Sequence, residues 1–328
     1  MKDKQINSTL LQQAQALDMA AEAHQLLRGE ANQEIPGVRH TESSFACGQI
    51  NIIEILDAQG AELMGRAEGT YITIEVPDLK NDLNNSSGQL LPVSQAVAEA
   101  LQSVMPADMP PEAGVLVVGL GNYQTTADAI GPKTISYIQP TRHFYQKDWV
   151  EEIRPVAAIS PGVVGNTGIE TALLIKGVVR QIKPACLIVI DALAARSISN
   201  IMSSIQICNT GIRPGSGVQN RRQAVNQAYL GVPVIAVGIP TVVHGATIIR
   251  ESADLCMQRL ATENPPPGLA DELVETLLRP FADNLVVTPK EADALVPLAA
   301  RIIAAGITRA LHPAADEQHF AQYMQIGC

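Results

Sequence analysis

Gly114-Val115-Leu116-Val117-Val118-Gly119-Leu120-Gly121-Asn122 is the stretch on which the fold turns. Its apolar run is unbroken rather than alternating, the pattern of a strand covered on both faces. Three further runs read the same way: Cys186 to Ile190, Pro233 to Gly238, and Asn284 to Thr288. Helical spacing fills the intervals, at Thr167 to Ile182, Gln219 to Leu230 and Val242 to Leu260, and a long C-terminal helix runs from Pro289 to Leu311. Buried strands alternating with helices predict an α/β fold with a doubly wound, mostly parallel sheet and flanking helices. Upstream, Thr9 to Arg28 reads as a helix. Ile50 to Leu56 and Thr70 to Val76 read as strands joined through a hairpin-like connection at Asp57 to Gly60, a smaller antiparallel addition. Pro92 to Val104 reads as a helix with Ser94 as a candidate N-cap.

Composition narrows the class. The 328 residues suffice for a sizeable core, and 46% hydrophobic against 17% charged residues describes a globular chain. Aromatics are only 3%, so aliphatic side chains must build the core, and a stacking platform for nucleic acid is disfavoured. The formal net charge of −10 opposes phosphate neutralisation, and Arg221-Arg222 is the lone basic pair of note. Five scattered cysteines without a C-x-x-C fit a reducing compartment. Met1 to Gln13 lacks an apolar signal core, and no run of about 18 apolar residues stands out, so neither secretion nor a membrane span is expected.

In open α/β sheets ligands bind beyond the carboxyl ends of the strands, so the residues after each run carry the chemistry. After the first run, Gly119, Gly121 and Asn122 shape a tight turn that leads to Asp128. A dinucleotide fingerprint needs a third glycine where the chain has Gln124, so that reading fails on spacing. After the second run comes Asp191. Neighbouring strand ends would bring the two carboxylates together. A pair that cannot easily ionise twice holds a proton, which equips one member to activate water and the other to polarise a carbonyl or protonate a leaving amine. Taken singly, each Asp reads more simply as a cap or an ion-pair partner. His244, past the third run, could complete a metal set with the two carboxylates, or be a hydrogen-bonded histidine at a helix start. The Asp-Thr/Ser-Gly hallmark of pepsin-like enzymes and the G-x-S-x-G elbow are both absent, and Cys208 sits in an apolar run as a core residue would. The loop Asn209 to Gly217 reads either as a structural turn or as facing substrate or a subunit.

These blocks in order resemble the germination protease family: Val117-Val118-Gly119-Leu120-Gly121-Asn122 with Asp128 and Gly131-Pro132; Ser160-Pro161-Gly162-Val163-Val164-Gly165; Ile190-Asp191-Ala192-Leu193-Ala194-Ala195-Arg196-Ser197; Gly238-Ile239-Pro240-Thr241-Val242-Val243; and Val287-Thr288-Pro289-Lys290-Glu291. The resemblance implies a fold similar to hydrogenase-maturation proteases and a homotetrameric endopeptidase without a cofactor. It also implies action on small acid-soluble spore proteins in the cytoplasm of the spore core, with no membrane and no direct nucleic-acid partner. The family's carboxylate pair falls on Asp128 and Asp191. The family is made as a zymogen; the counterpart of its mature start is Ala16-Leu17-Asp18-Met19-Ala20, which puts a propeptide at 1–14, its boundary between 10 and 16, ahead of a single peptidase domain at 15–328. Hydrogenase-maturation proteases bind a metal at similar positions with a His, and His244 stands where germination proteases usually carry an acid. The alternative is therefore a metal-dependent maturation-type protease using Asp128, Asp191 and His244.

Overall fold

The computed structural model describes residues 11, 14, 17–29, 34–81, 88, 90–145, 153–214, 222–260, 268–281 and 285–313. Among them one sheet gathers nine strands: β1 (Val38–Phe45), β2 (Gly48–Ile55), β3 (Gly69–Glu75), β4 (Val115–Gly119), β5 (Val156–Ile159), β6 (Cys186–Ala195), β7 (Ser204–Cys208), β8 (Val234–His244) and β9 (Val286–Val287). Their order is β1-β2-β3-β7-β8-β6-β4-β5, with β9 paired to the far end of β8. The unit β8-β6-β4-β5 is parallel throughout, as the continuous apolar runs predict. β1, β2, β3 and β7 extend it as an antiparallel block.

Period-two alternation sends the parallel strands' side chains into two cores. On one face Val115, Val117, Ile188, Ile190, Ile235 and Val237 pack under helices α3 (Leu90–Val104), α4 (Ile130–Tyr137) and α8 (Ala292–Leu311). On the other, Leu116, Val118, Leu187 and Val189 pack under α5 (Thr171–Ile182). Farther along that second face, α1 (Ala20–Arg28) and Met64, at the end of α2 (Ala58–Met64), cover Ile53, Tyr71 and Cys208. Each fully buried Leu, Ile or Val in these layers stabilises the fold by about 1.5–3 kcal/mol. α8 is long and apolar enough to cross a membrane, with a mean hydropathy of 1.6 over its window, but 78% of that window is buried in the protein, and it serves as the central helix of the first core.

Several sequence expectations shift. β2 and β3 are antiparallel partners as expected, but their connection is longer than Asp57 to Gly60: it carries α2, which Asp57 caps, its carboxylate accepting from Gly60 N at 2.8 Å. Ser94 is no N-cap; it lies buried inside α3 with its hydroxyl donating to Leu91 O at 2.9 Å. The helix expected from Gln219 shrinks to Gln227–Leu230, and residues 215–221 lie outside the described set. The helix expected from Val242 is α6 (Gly245–Arg259), because Val242 and Val243 still belong to β8; it packs against α7 (Leu269–Leu278). The run at 284–288 gives only the two-residue β9, whose valines are both exposed, so it is not a buried strand. β1 was not anticipated: Val-Arg-His-Thr-Glu-Ser-Ser-Phe is polar because it forms an exposed sheet edge. The helix expected from Thr9 to Arg28 is not continuous: Leu11 and Ala14 are helical, Leu17 to Met19 are not, and α1 follows, residues 1–10, 12–13 and 15–16 lying outside the described set.

Candidate functional site

β4 stops at Gly119, paired with Ile190 of β6. Gly121 then turns with φ +110, and a Cβ there would collide with the Asp128 carbonyl oxygen. Gly119 and Gly131 are equally confined, a Cβ at Gly119 meeting Gly131 O and one at Gly131 meeting Leu120 O. The glycines thus let the turn lie flat against residues 128–131, a packing role rather than a nucleotide cradle. Asn122 ties the loop: its N–H donates to Asp128 Oδ2 at 2.8 Å, and its side-chain oxygen accepts from Gln124 N at 3.1 Å and from Asn166 Nδ2 at 3.2 Å. The other side of the loop is held from β8, where the buried Thr241 hydroxyl donates to Ala127 O at 2.6 Å.

Asp191 is not at the end of its strand, as the sequence suggested, because β6 continues to Ala195 beside an equally long β8. It is instead the first residue of β6 beyond the reach of β4. The topological step that opens the site is therefore the ending of β4, not of β6. Asp191 is 6% exposed, and its carboxylate accepts from Ala192 N at 2.9 Å. Burial first, then the nearby Asp128 charge, pushes its pKa well above the ordinary carboxylate value of 3.8. Burial also raises Asp128, opposed by the Asn122 N–H bond and by the Arg222 charge.

Both carboxylates line a cavity of about 180 Å³, together with Asp18, Thr125, Ala194 and Arg213. Asp128 and Asp191 thus share one cavity, with Gly119, Gly121 and Asn122 shaping the loop that presents Asp128. His244 does not join them. Asp191 pairs with Gly238, whereas Val243 pairs with Ala195, four strand positions on, which at roughly 3.3 Å per residue is about 13 Å away. His244 lies past even that point, paired with Val286. Among the described residues no group of three His, Cys, Asp or Glu side chains is placed to hold one ion. Among those residues the donor set for the metal-dependent alternative is not assembled: β8 continues, through a bulge at Thr241, to His244 before α6 begins.

Asp18, Thr241 and Arg222 escaped the sequence reading. Asp18 precedes α1 and reaches the site only through the tertiary fold, its Oδ2 accepting from Ala194 N at 2.9 Å. Thr241 lies three residues past the third apolar run, beyond Pro240. Arg222 was noted only as part of a basic pair; its charge favours the ionised form of both carboxylates.

Fold and site define an α/β enzyme whose candidate chemistry sits in a carboxylate pair at the carboxyl end of a parallel strand set. The family follows from comparison. The germination protease family model matches residues 13–265 and 269–324. Germination proteases similar to the chain include that of Caldanaerobacter subterraneus subsp. tengcongensis, 41% identical with 94% of this chain and 97% of the relative covered. Those of Clostridium tetani (39%; 94% and 98%) and Bacillus cytotoxicus (36%; 93% and 96%) are similar over comparable lengths. Among solved structures, the NiFe-hydrogenase maturation protease HycI from Thermococcus kodakarensis KOD1 overlaps with a TM-score of 0.34 at 13% identity, covering 64% of this chain and 97% of that one. The chain belongs to the germination protease family and is a peptidase.

Proposed function

We propose that this chain is the endopeptidase that initiates degradation of small acid-soluble spore proteins at germination, using Asp128 and Asp191 as a proton-sharing pair. The observation that carries the mechanism is the burial of two carboxylates on one cavity, each disfavoured as an anion there. Of the two, Asp191 is the more deeply buried and feels the charge of Asp128, so it holds the shared proton and is the acid. Asp128, whose anion is steadied by Asn122 N–H, is the base. In the cleavage step Asp128 takes a proton from water as the oxygen bonds to the scissile carbonyl carbon. Asp191 hydrogen-bonds the carbonyl oxygen and supports the charge that develops there. Collapse of the tetrahedral intermediate breaks the C–N bond, and the proton taken up by the pair passes to the leaving amine.

The substrate class, synthesis as a zymogen with a propeptide at 1–14, the homotetramer and the spore-core location belong to the same proposal, and family membership supports them. Incubating the purified protein with small acid-soluble spore proteins and sequencing the fragments tests it. Discrete endoproteolytic products that disappear in Asp191→Asn are expected; the same products from Asp191→Asn would remove that residue from the mechanism.

A further inference from the structure

Beyond Ile190, β6 keeps β8 on one side but has lost β4 on the other. Leu120 N donates to Ile190 O at 2.8 Å, so the peptide groups of Ile190 face the β4 side. Strand alternation then turns the N–H groups of Ala192, Ala194 and Arg196 toward the same vacated edge. An open strand edge presents a row of main-chain donors and acceptors that a further strand can satisfy. Here each of the three donors is met by a side-chain carboxylate instead: Ala192 N by Asp191 Oδ1 at 2.9 Å, Ala194 N by Asp18 Oδ2 at 2.9 Å, and Arg196 N by Glu22 at 3.1 and 3.2 Å. The first two N–H groups belong to residues that line the cavity holding Asp128 and Asp191.

We propose that this edge of β6, at Ala192 and Ala194, is the docking edge for the substrate main chain. An extended segment of the substrate adds there as a strand, and Asp18 occupies, in its absence, the place of a substrate carbonyl. This inference rests on peptide hydrolysis at the neighbouring carboxylates. Strand addition gives main-chain recognition through evenly spaced bonds, and it lays a peptide bond alongside the pair in a fixed register. The two carboxylates from the N-terminal segment differ in kind. Glu22 is only 4% exposed, is held also by Asn200 Nδ2 at 2.7 Å, and closes the edge at Arg196 permanently. Asp18 is partly exposed on the cavity wall, and its bond to Ala194 is the one a peptide carbonyl replaces. Displacing Asp18 thus frees Ala194 N for the substrate, while Ala192 N stays on Asp191 and Glu22 blocks the edge beyond.

The test uses the unaltered protein and a peptide of about ten residues, spanning a bond that the protein cuts in a small acid-soluble spore protein, with that bond reduced to CH2–NH. Binding is read by fluorescence anisotropy for a series of peptides N-methylated one position at a time. Strand addition predicts roughly tenfold weaker binding at alternate positions beside the reduced bond and little change between them. Weakening that does not alternate, or no position affected by threefold, overturns it. Asp18→Ala, which removes the competing carboxylate, is expected to tighten binding of the parent peptide about tenfold; unchanged or weaker binding overturns the role of Asp18. Because binding is measured without turnover, these results stand apart from the catalytic assignment, which fails separately if Asp128→Asn or Asp191→Asn still cleaves.

Discussion

Gly121→Ala isolates the link between the glycine turn and the carboxylate it presents. Gly121 sits at φ +110, where an L side chain is strained by about 1–3 kcal/mol. Its new methyl would also lie far inside the 3.0 Å that real Cβ atoms keep, against the Asp128 carbonyl oxygen, and 3.0 Å from Asp128 Oδ1. The obstacle is backbone, not the end of a flexible side chain, so the loop itself must retreat by about 1 Å. Overpacking of that kind costs about 1–3 kcal/mol, giving a total near 2–6 kcal/mol. A displacement of that size in a reacting group lowers the rate about 100-fold. Thermal unfolding should show the destabilisation, and cleavage of a small acid-soluble spore protein should show the loss in kcat, with far-ultraviolet circular dichroism unchanged. A Gly121→Ala variant that keeps kcat within threefold of wild type would refute the claim that this turn positions Asp128.

Thr241→Val removes the hydroxyl that bonds Ala127 O and leaves a part-buried carbonyl without that donor; it is expected to cost about 1–3 kcal/mol in urea unfolding and to lower kcat, since Ala127 adjoins Asp128. Asp191→Asn should raise the melting temperature at pH 8 while abolishing cleavage. The sign follows from linkage: the raised folded-state pKa means the native protein holds the proton more tightly than the unfolded chain, so Asp191 costs no stability below about pH 3.8 and its penalty grows as pH rises through the raised value. The gain from Asn should therefore shrink on acidification toward pH 4, and a gain that grows there would contradict the assignment. His244→Ala, assayed with and without a chelator, should keep activity within about threefold, because β8 carries His244 about 13 Å or more along the strand from the pair. Activity lost with the chelator and restored by zinc would revive the metal reading.

The parallel unit was readable because its strands are buried on both faces and so appear as Val115 to Gly119 and Cys186 to Ile190 without a polar break. That also marked Asp191, which directly follows such a run; Asp128 comes nine residues after Gly119, past the glycine turn. What failed was the length of the strands. Asp191, Pro240 and Thr241 look like punctuation in a linear reading, yet β6 and β8 stay paired past them, with a one-residue bulge at Thr241 between the pairs Leu193–Pro240 and Ala194–Val242. The same continuation of β8 sets His244 along the strand from the pair. Edge strands hide for the opposite reason: β1 is polar because water, not core, meets it. Asp18 had no local signal, as its role depends on a bond to Ala194, 176 residues distant in sequence.

The central claim is that peptide hydrolysis is carried out by Asp128 and Asp191 as one unit. Its most direct test is single-turnover cleavage of a small acid-soluble spore protein by Asp128→Asn, Asp191→Asn and the double variant, each confirmed folded. Groups that share one proton are not additive, so each single variant should lose nearly as much rate as the double, by about 1,000-fold or more. Single losses that multiply to the double loss, or a single variant within tenfold of wild type, would contradict it.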